Sequence, residues 1–92
     1  MADELTRRLM GSKNYCIIRL AELKENLDRL HNESVELKSR LEDGVGEFEA
    51  GKMRGLRKYM ARRIEELKAE RTKLTAELHT TTEALDARAT SL

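Results

Sequence analysis

Ninety-two residues with no proline limit the chain to one small domain. Charged residues make up 38% and aromatics 3%, a balance typical of coiled coils and long exposed helices and too poor in bulky side chains for a compact globule. A formal net charge of +1 provides no global field for nucleic acid or membrane, so any such attraction must be local.

The first predicted element is a helix over residues 2–43. Leu9, Cys16, Leu23, Leu30 and Leu37 recur at one heptad position, and Leu20, Leu27, Ser34 and Leu41 recur at the other. The steps alternate three and four, which places all nine on one stripe. Gly11-Ser12 is a candidate interruption that would leave residues 2–10 short or frayed. Cys16 falls on the stripe and reads as a small buried hydrophobe rather than a reactive thiol. Its being the single cysteine excludes an intramolecular disulfide and agrees with a reducing compartment. No apolar run is long enough to span a bilayer and no signal-peptide core is found, so a soluble, cytoplasmic protein is expected.

Within this helix NYCIIRLA, residues 14–21, is the most apolar stretch. Tyr15, Ile17, Ile18 and Ala21, with Met10 upstream, cover more of the helix than the two positions in seven that a two-helix seam needs. The facing residues 70–80 are polar and threonine-rich outside their own stripe and cannot cover the excess. These five are therefore the candidate partner-binding residues. The alternative is a locally wide core packed by residues 2–10 folding back.

Four of the five glycines, Gly44, Gly46, Gly51 and Gly55, share one window. Each costs a helix about 1 kcal/mol relative to alanine, so a break is expected. Asp43-Gly44 reads as the stop, with Gly44 free to take the left-handed C-cap conformation, and the predicted turn covers 43–46. The same window contains GEFEAGKM, which approaches the phosphate-cradling pattern G-x-x-x-x-G-K-[ST]. That loop needs a buried strand before it and a hydroxyl for magnesium. Here a helix precedes it, Met53 replaces the hydroxyl, and Glu47 and Glu49 would repel an anion. It is a bend, not a nucleotide site.

The second predicted helix covers 47–86, followed by a frayed tail at 87–92, because the threonine run at 80–82 and the terminal ARATSL lower helix propensity. Its stripe is Ile64, Leu67, Leu74, Leu78 and Leu85, with Arg71 and Thr81 as polar members. Met53, Leu56, Met60 and Ile64 step 3, 4, 4, which reads as a local stutter. An antiparallel hairpin follows, and its register is open by one heptad. A tight turn makes facing residue numbers sum to about 90, whereas a wide loop makes them sum to about 97. The tight register sets Arg54 near Glu36, Arg57 near Glu33, Arg62 near Asp28 and Lys68 near Glu22. The wide one opposes like charges, so the tight turn is preferred. Gly51 and Gly55 would then allow the two backbones to approach closely.

Between Ala50 and Ile64 lie six basic residues and no acidic one: Lys52, Arg54, Arg57, Lys58, Arg62 and Arg63. Arg54, Lys58 and Arg62 share one ridge. This is a candidate anion-binding set for nucleic acid or an anionic surface, against the alternative that Asp28, Glu33 and Glu36 neutralise it. His31 and His79 lack a second ligand at metal spacing, and the carboxylates line solvated faces with no cleft, so no metal, cofactor or catalytic residue is assigned. The expected fold is all-α, a coiled-coil-like antiparallel helical hairpin forming a single unit over 1–92 that assembles into a larger helical bundle. The expected function is non-enzymatic: a small coiled-coil adaptor, chaperone or assembly subunit that binds protein partners, a second copy included, by helix–helix packing. The alternative is a nucleic-acid or anionic-surface binder using the basic ridge 52–63.

Overall fold

A computed structural model describes residues 3–90 of the chain. Two α-helices, α1 (Glu4–Asp43) and α2 (Glu47–Thr90), pack against each other as a helical hairpin, and no strand occurs among the described residues. Helix α1 begins at a side-chain cap. Asp3 accepts the Thr6 amide on Oδ1 at 2.7 Å, and its carbonyl accepts the Arg7 amide at 3.1 Å. The Thr6 amide bond to the carboxylate, more than the Thr6 hydroxyl or the nearby Arg88, holds the Asp3 carboxyl below its ordinary value. Capped in this way, α1 runs through Gly11 and Ser12 without the break that the glycine suggests. One glycine costs too little to interrupt a helix whose neighbouring turns are anchored by seam residues.

Only Gly44, Val45 and Gly46 separate the helices. Gly44 has φ +91°, the left-handed conformation that ends a helix and that a Cβ disfavours. The amide of Ala50 donates to the Gly46 carbonyl at 2.9 Å, opening α2. Val45 and Ala50 occupy the two positions of a hydrophobic staple, one half-buried and the other buried. The turn is therefore tight, and the whole of 47–54 is helical.

The chain divides into two compact units. The first, Met1–Leu23 with Glu70–Leu92, holds Cys16 and Leu23 at 0% exposure, with Leu74 and Thr81 buried and Leu9, Leu20, Leu78 and Leu85 half-buried beside them. Its polar cross-links are between helices. Arg19 grips Glu70 with both arms of its guanidinium, Nε to Oε1 at 2.9 Å and Nη2 to Oε2 at 3.2 Å, and its Nη1 reaches Glu22 at 3.1 Å. Arg88 donates to the Thr6 hydroxyl at 2.9 Å and to the Asp3 carboxylate. The pairs Arg19–Glu70 and Asp3–Arg88 each sum to about 90, as the tight register requires. Arg71 is exposed rather than seated in the seam, and the half-buried Glu70 turns inward to Arg19 instead. Helix α2 continues to Thr90, past the expected end at 86. The hydroxyls of Thr80 and Thr90 bond back to the carbonyls of Ala76 and Asp86, at 3.1 Å and 2.7 Å, so these residues are accommodated without leaving the helix. Residues 2, 91 and 92 of the predicted elements lie outside the described residues.

The second unit, Lys24–Ala69, contains the turn. Leu27, Ala50, Met60, Ile64 and Leu67 are buried, with Leu30, Ser34, Leu37, Leu41 and Met53 half-buried. In α2 the inward residues are Ala50, Met53, Arg57, Met60, Ile64 and Leu67, which step 3, 4, 3, 4, 3. The predicted stutter is absent. The heptad is regular, and the position it assigns belongs to Arg57, while Leu56 is 45% exposed. Reading apolar residues only had moved the stripe one place to Leu56.

Two further expectations fail in this unit. Gly51 and Gly55 are exposed, and an added Cβ at either would meet nothing within 4 Å, so they make no close backbone approach. Among the described residues Arg54, Arg57 and Arg62 form no ion pair. Glu36 lies 3.8 Å from Arg40, Arg63 pairs with Glu66 at 3.0 Å and Lys68 lies 3.9 Å from Glu65. A partner one turn away on the same helix needs less ordering of long side chains than a reach across the seam.

These glycines give opposite predictions. Gly44→Ala destabilises the hairpin by roughly 1–2 kcal/mol, since alanine resists the left-handed conformation. Gly51→Ala and Gly55→Ala each stabilise it by about 0.5–1 kcal/mol. Urea unfolding followed by circular dichroism measures all three.

Candidate functional site

The seam takes two positions in seven from α1, and the rest of that helix faces outward. Between Met10 and Ala21 the outward positions carry large apolar groups. Met10 is 52% exposed, Tyr15 60%, Ile17 47% and Ile18 61%, with Ala21 and Gly11 also exposed. All belong to the first unit, on the side of α1 away from the buried Cys16 and Leu23. The sequence-predicted partner-binding residues therefore lie together on one outward surface. In place of the alternative, residues 2–10 folding back to cover them, residues 4–10 continue the same helix, and residue 2 lies outside the described residues.

The ends of this surface are charged. Arg7 and Arg8 stand before it, and Arg8 pairs with Glu4 at 2.8 Å. Glu22 closes the other end, paired at 3.1 Å with Arg19. Four more large apolar side chains are exposed that the sequence reading did not single out: Leu5, Val35, Phe48 and Tyr59. Leu5, Val35 and Tyr59 are single exposures of a kind any surface shows. Phe48 has Lys52 over its ring, with Nζ at 4.5 Å from the centroid.

The candidate anion-binding set is not brought together. Lys52 is held over Phe48, Arg63 is paired with Glu66, and Arg57 turns into the seam, where its Nε is buried without a hydrogen-bond partner. Arg54, Lys58 and Arg62 remain as an exposed ridge. Among the described residues no ion pair joins them to Asp28, Glu33 or Glu36, and Glu36 lies 3.8 Å from Arg40. A shallow cleft in the second unit is lined by Glu33, Glu36, Leu37, Arg40, Leu56 and Met60. Its rim mixes the carboxylates of Glu33 and Glu36 with the guanidinium of Arg40.

Cys16 is fully buried, and burial first, then the charge of Glu77, raises its thiol above the ordinary value, against a hydrogen bond from Ser12 that lowers it. His79 makes an exposed contact with Glu83 at 3.0 Å. Among the described residues no three metal-ligating side chains cluster, and no helix is long and apolar enough to cross a membrane.

Comparison with protein-family models, with curated proteins and with solved structures finds no match.

Two chemical outcomes follow from this arrangement. Cys16 reacts with a thiol reagent in the folded chain far more slowly than in urea, and equal rates in both would contradict its burial. Arg57→Met removes a buried unpaired donor while keeping the aliphatic stem. It raises unfolding stability by about 1 kcal/mol, read from the urea midpoint.

Proposed function

We propose that this chain is a non-enzymatic protein–protein interaction module, a small coiled-coil adaptor, chaperone or assembly subunit that works by helix–helix packing. The observation that carries this reading is the outward surface of Met10, Tyr15, Ile17, Ile18 and Ala21 on α1. Apolar groups of this size, contiguous and left in water, mark interfaces on soluble chains. Each contributes about 25 cal/mol per Å² of apolar area when a partner covers it. Two helices also bury little surface for their length, and chains of this size gain stability by assembly.

A second reading rests on the exposed ridge of Arg54, Lys58 and Arg62, which could contact phosphates of nucleic acid or of an anionic surface. It is the weaker one, because half of the basic set is committed elsewhere in the hairpin.

Paired substitutions separate the two. Ile17→Ser with Ile18→Ser leaves helicity intact and removes every species heavier than one chain in native mass spectrometry of the protein purified from its source. Replacing Arg54, Lys58 and Arg62 with glutamate leaves those species in place. A wild-type chain that is free of any polypeptide partner, and whose mobility shifts with nucleic acid at low salt, reverses the order of the two readings.

A further inference from the structure

The outward surface of α1 is self-complementary, and we infer that its occupant is a second copy of this chain, packed antiparallel along α1 with the two-fold axis near residue 16. This rests on the interaction-module reading above and names the partner for it. Gly11, Asn14, Ile18 and Ala21 step 3, 4, 3 along the helix, which is the spacing of a second helix–helix seam on the face away from the first. In an antiparallel pair Gly11 meets Ala21 of the second copy, and Asn14 meets its Ile18. Gly11 is exposed with nothing within 4 Å of an added Cβ, so the small pair lets the two helices come close. Asn14 is the single polar position in this stripe.

The flanks fit the same register. On one side of the stripe lie Arg8, Tyr15 and Glu22, spaced seven apart, and on the other lie Met10 and Ile17. Antiparallel helices bring each flank against its own counterpart. Tyr15 then packs beside Tyr15 of the second copy and Ile17 beside its Ile17, both next to the axis. Arg8 faces Glu22 of the second copy, twice by symmetry. Within one chain Arg8 holds Glu4 at 2.8 Å and Arg19 holds Glu22 at 3.1 Å. Joining them gives a run of alternating charge: Glu4, Arg8, then Glu22 and Arg19 of the second copy. A parallel copy would set the two flanks against each other, Arg8 facing Asp3 and Glu22 facing the apolar Ile17, so only the antiparallel orientation pairs Arg8 with Glu22 and leaves Glu22 a charged partner. An isologous contact of this kind closes on itself and stops at two copies.

The test reverses one charge at a time. Arg8→Glu alone and Glu22→Arg alone each place like charges opposite one another twice, and each weakens the homodimer roughly tenfold by sedimentation equilibrium. Mixed in equal amounts, the two variants recover wild-type affinity as a heterodimer, because each supplies the charge the other lacks. A second measurement uses introduced thiols, with Cys16 buried and silent. Ile17→Cys cross-links to itself on mild oxidation, whereas Met10→Cys, displaced from the axis, does not. Homodimers indifferent to both charge reversals, or a Met10→Cys chain that cross-links to itself as readily as Ile17→Cys, overturn the antiparallel second copy and leave the interaction module standing. The same holds if the chain is monomeric alone and joins a different polypeptide through Ile17 and Ile18. A wild-type monomer that binds no polypeptide overturns both.

Discussion

A pair of helices can bury one stripe from each partner and no more. That constraint governs the rest of this molecule. Cys16, Leu23, Leu27, Met60, Ile64, Leu67 and Leu74 are buried in these stripes, and among the described residues no element besides α1 and α2 covers what lies outside them. Stability has to come from a narrow core made long, closed by a turn of three residues whose first, Gly44, takes a conformation that side chains resist. Everything that can touch a partner is then decided by the outward residues. Along most of both helices these are charged or polar. Between Met10 and Ala21 they include the large apolar Met10, Tyr15, Ile17 and Ile18.

Polar groups in or beside the seam divide into two kinds. Arg19 and Glu70 are held in a bidentate fork, and Arg88 closes on Thr6 and Asp3, so these groups satisfy one another while fixing which residues face which. Arg57 is of the other kind. It occupies a regular heptad position, its stem fills the space that an aliphatic residue would take, and its Nε is left without a partner. Polar residues at heptad positions commonly set register at a cost in stability. The fork at Arg19 ties facing residues together with its hydrogen bonds made, whereas the Arg57 Nε makes none.

Most of the hairpin was legible in the sequence because a leucine heptad is a strong and redundant signal. Nine α1 positions from Leu9 to Leu41 were placed on the inward stripe, and all nine are buried or half-buried. Gly44 was legible because few residues tolerate its conformation. One error arises because sequence gives the class of a residue and not the reach of its side chain. Arg57 looked like surface and Leu56 like core, yet an arginine stem packs like a hydrophobe and the unbroken step of 3 and 4 was the better guide. Glycine at 11, 51 and 55 suggested a break and a close approach, whereas helices this long absorb an isolated glycine. Charge pairing across the turn was drawn from register alone, and among the described residues Arg54, Arg57 and Arg62 form no ion pair while Glu36 lies 3.8 Å from Arg40 on its own helix. At the candidate site the excess of apolar residues was readable from Tyr15, Ile17 and Ile18. Leu5 and Phe48 were not singled out because a lone exposed hydrophobe leaves no periodic trace.

Two tyrosines provide an internal control for whether the outward surface of α1 is covered in the working assembly. Tyr15 and Tyr59 are exposed almost equally in the single hairpin, at 60% and 61%, but only Tyr15 lies on the proposed interface. Hydroxyl-radical footprinting read out by mass spectrometry compares their oxidation in the same sample. The account predicts that Tyr15 becomes protected as protein concentration rises, with Met10, Ile17 and Ile18 following it, while Tyr59 stays fully reactive. Tyr15 and Tyr59 oxidising at the same rate at every concentration would contradict it.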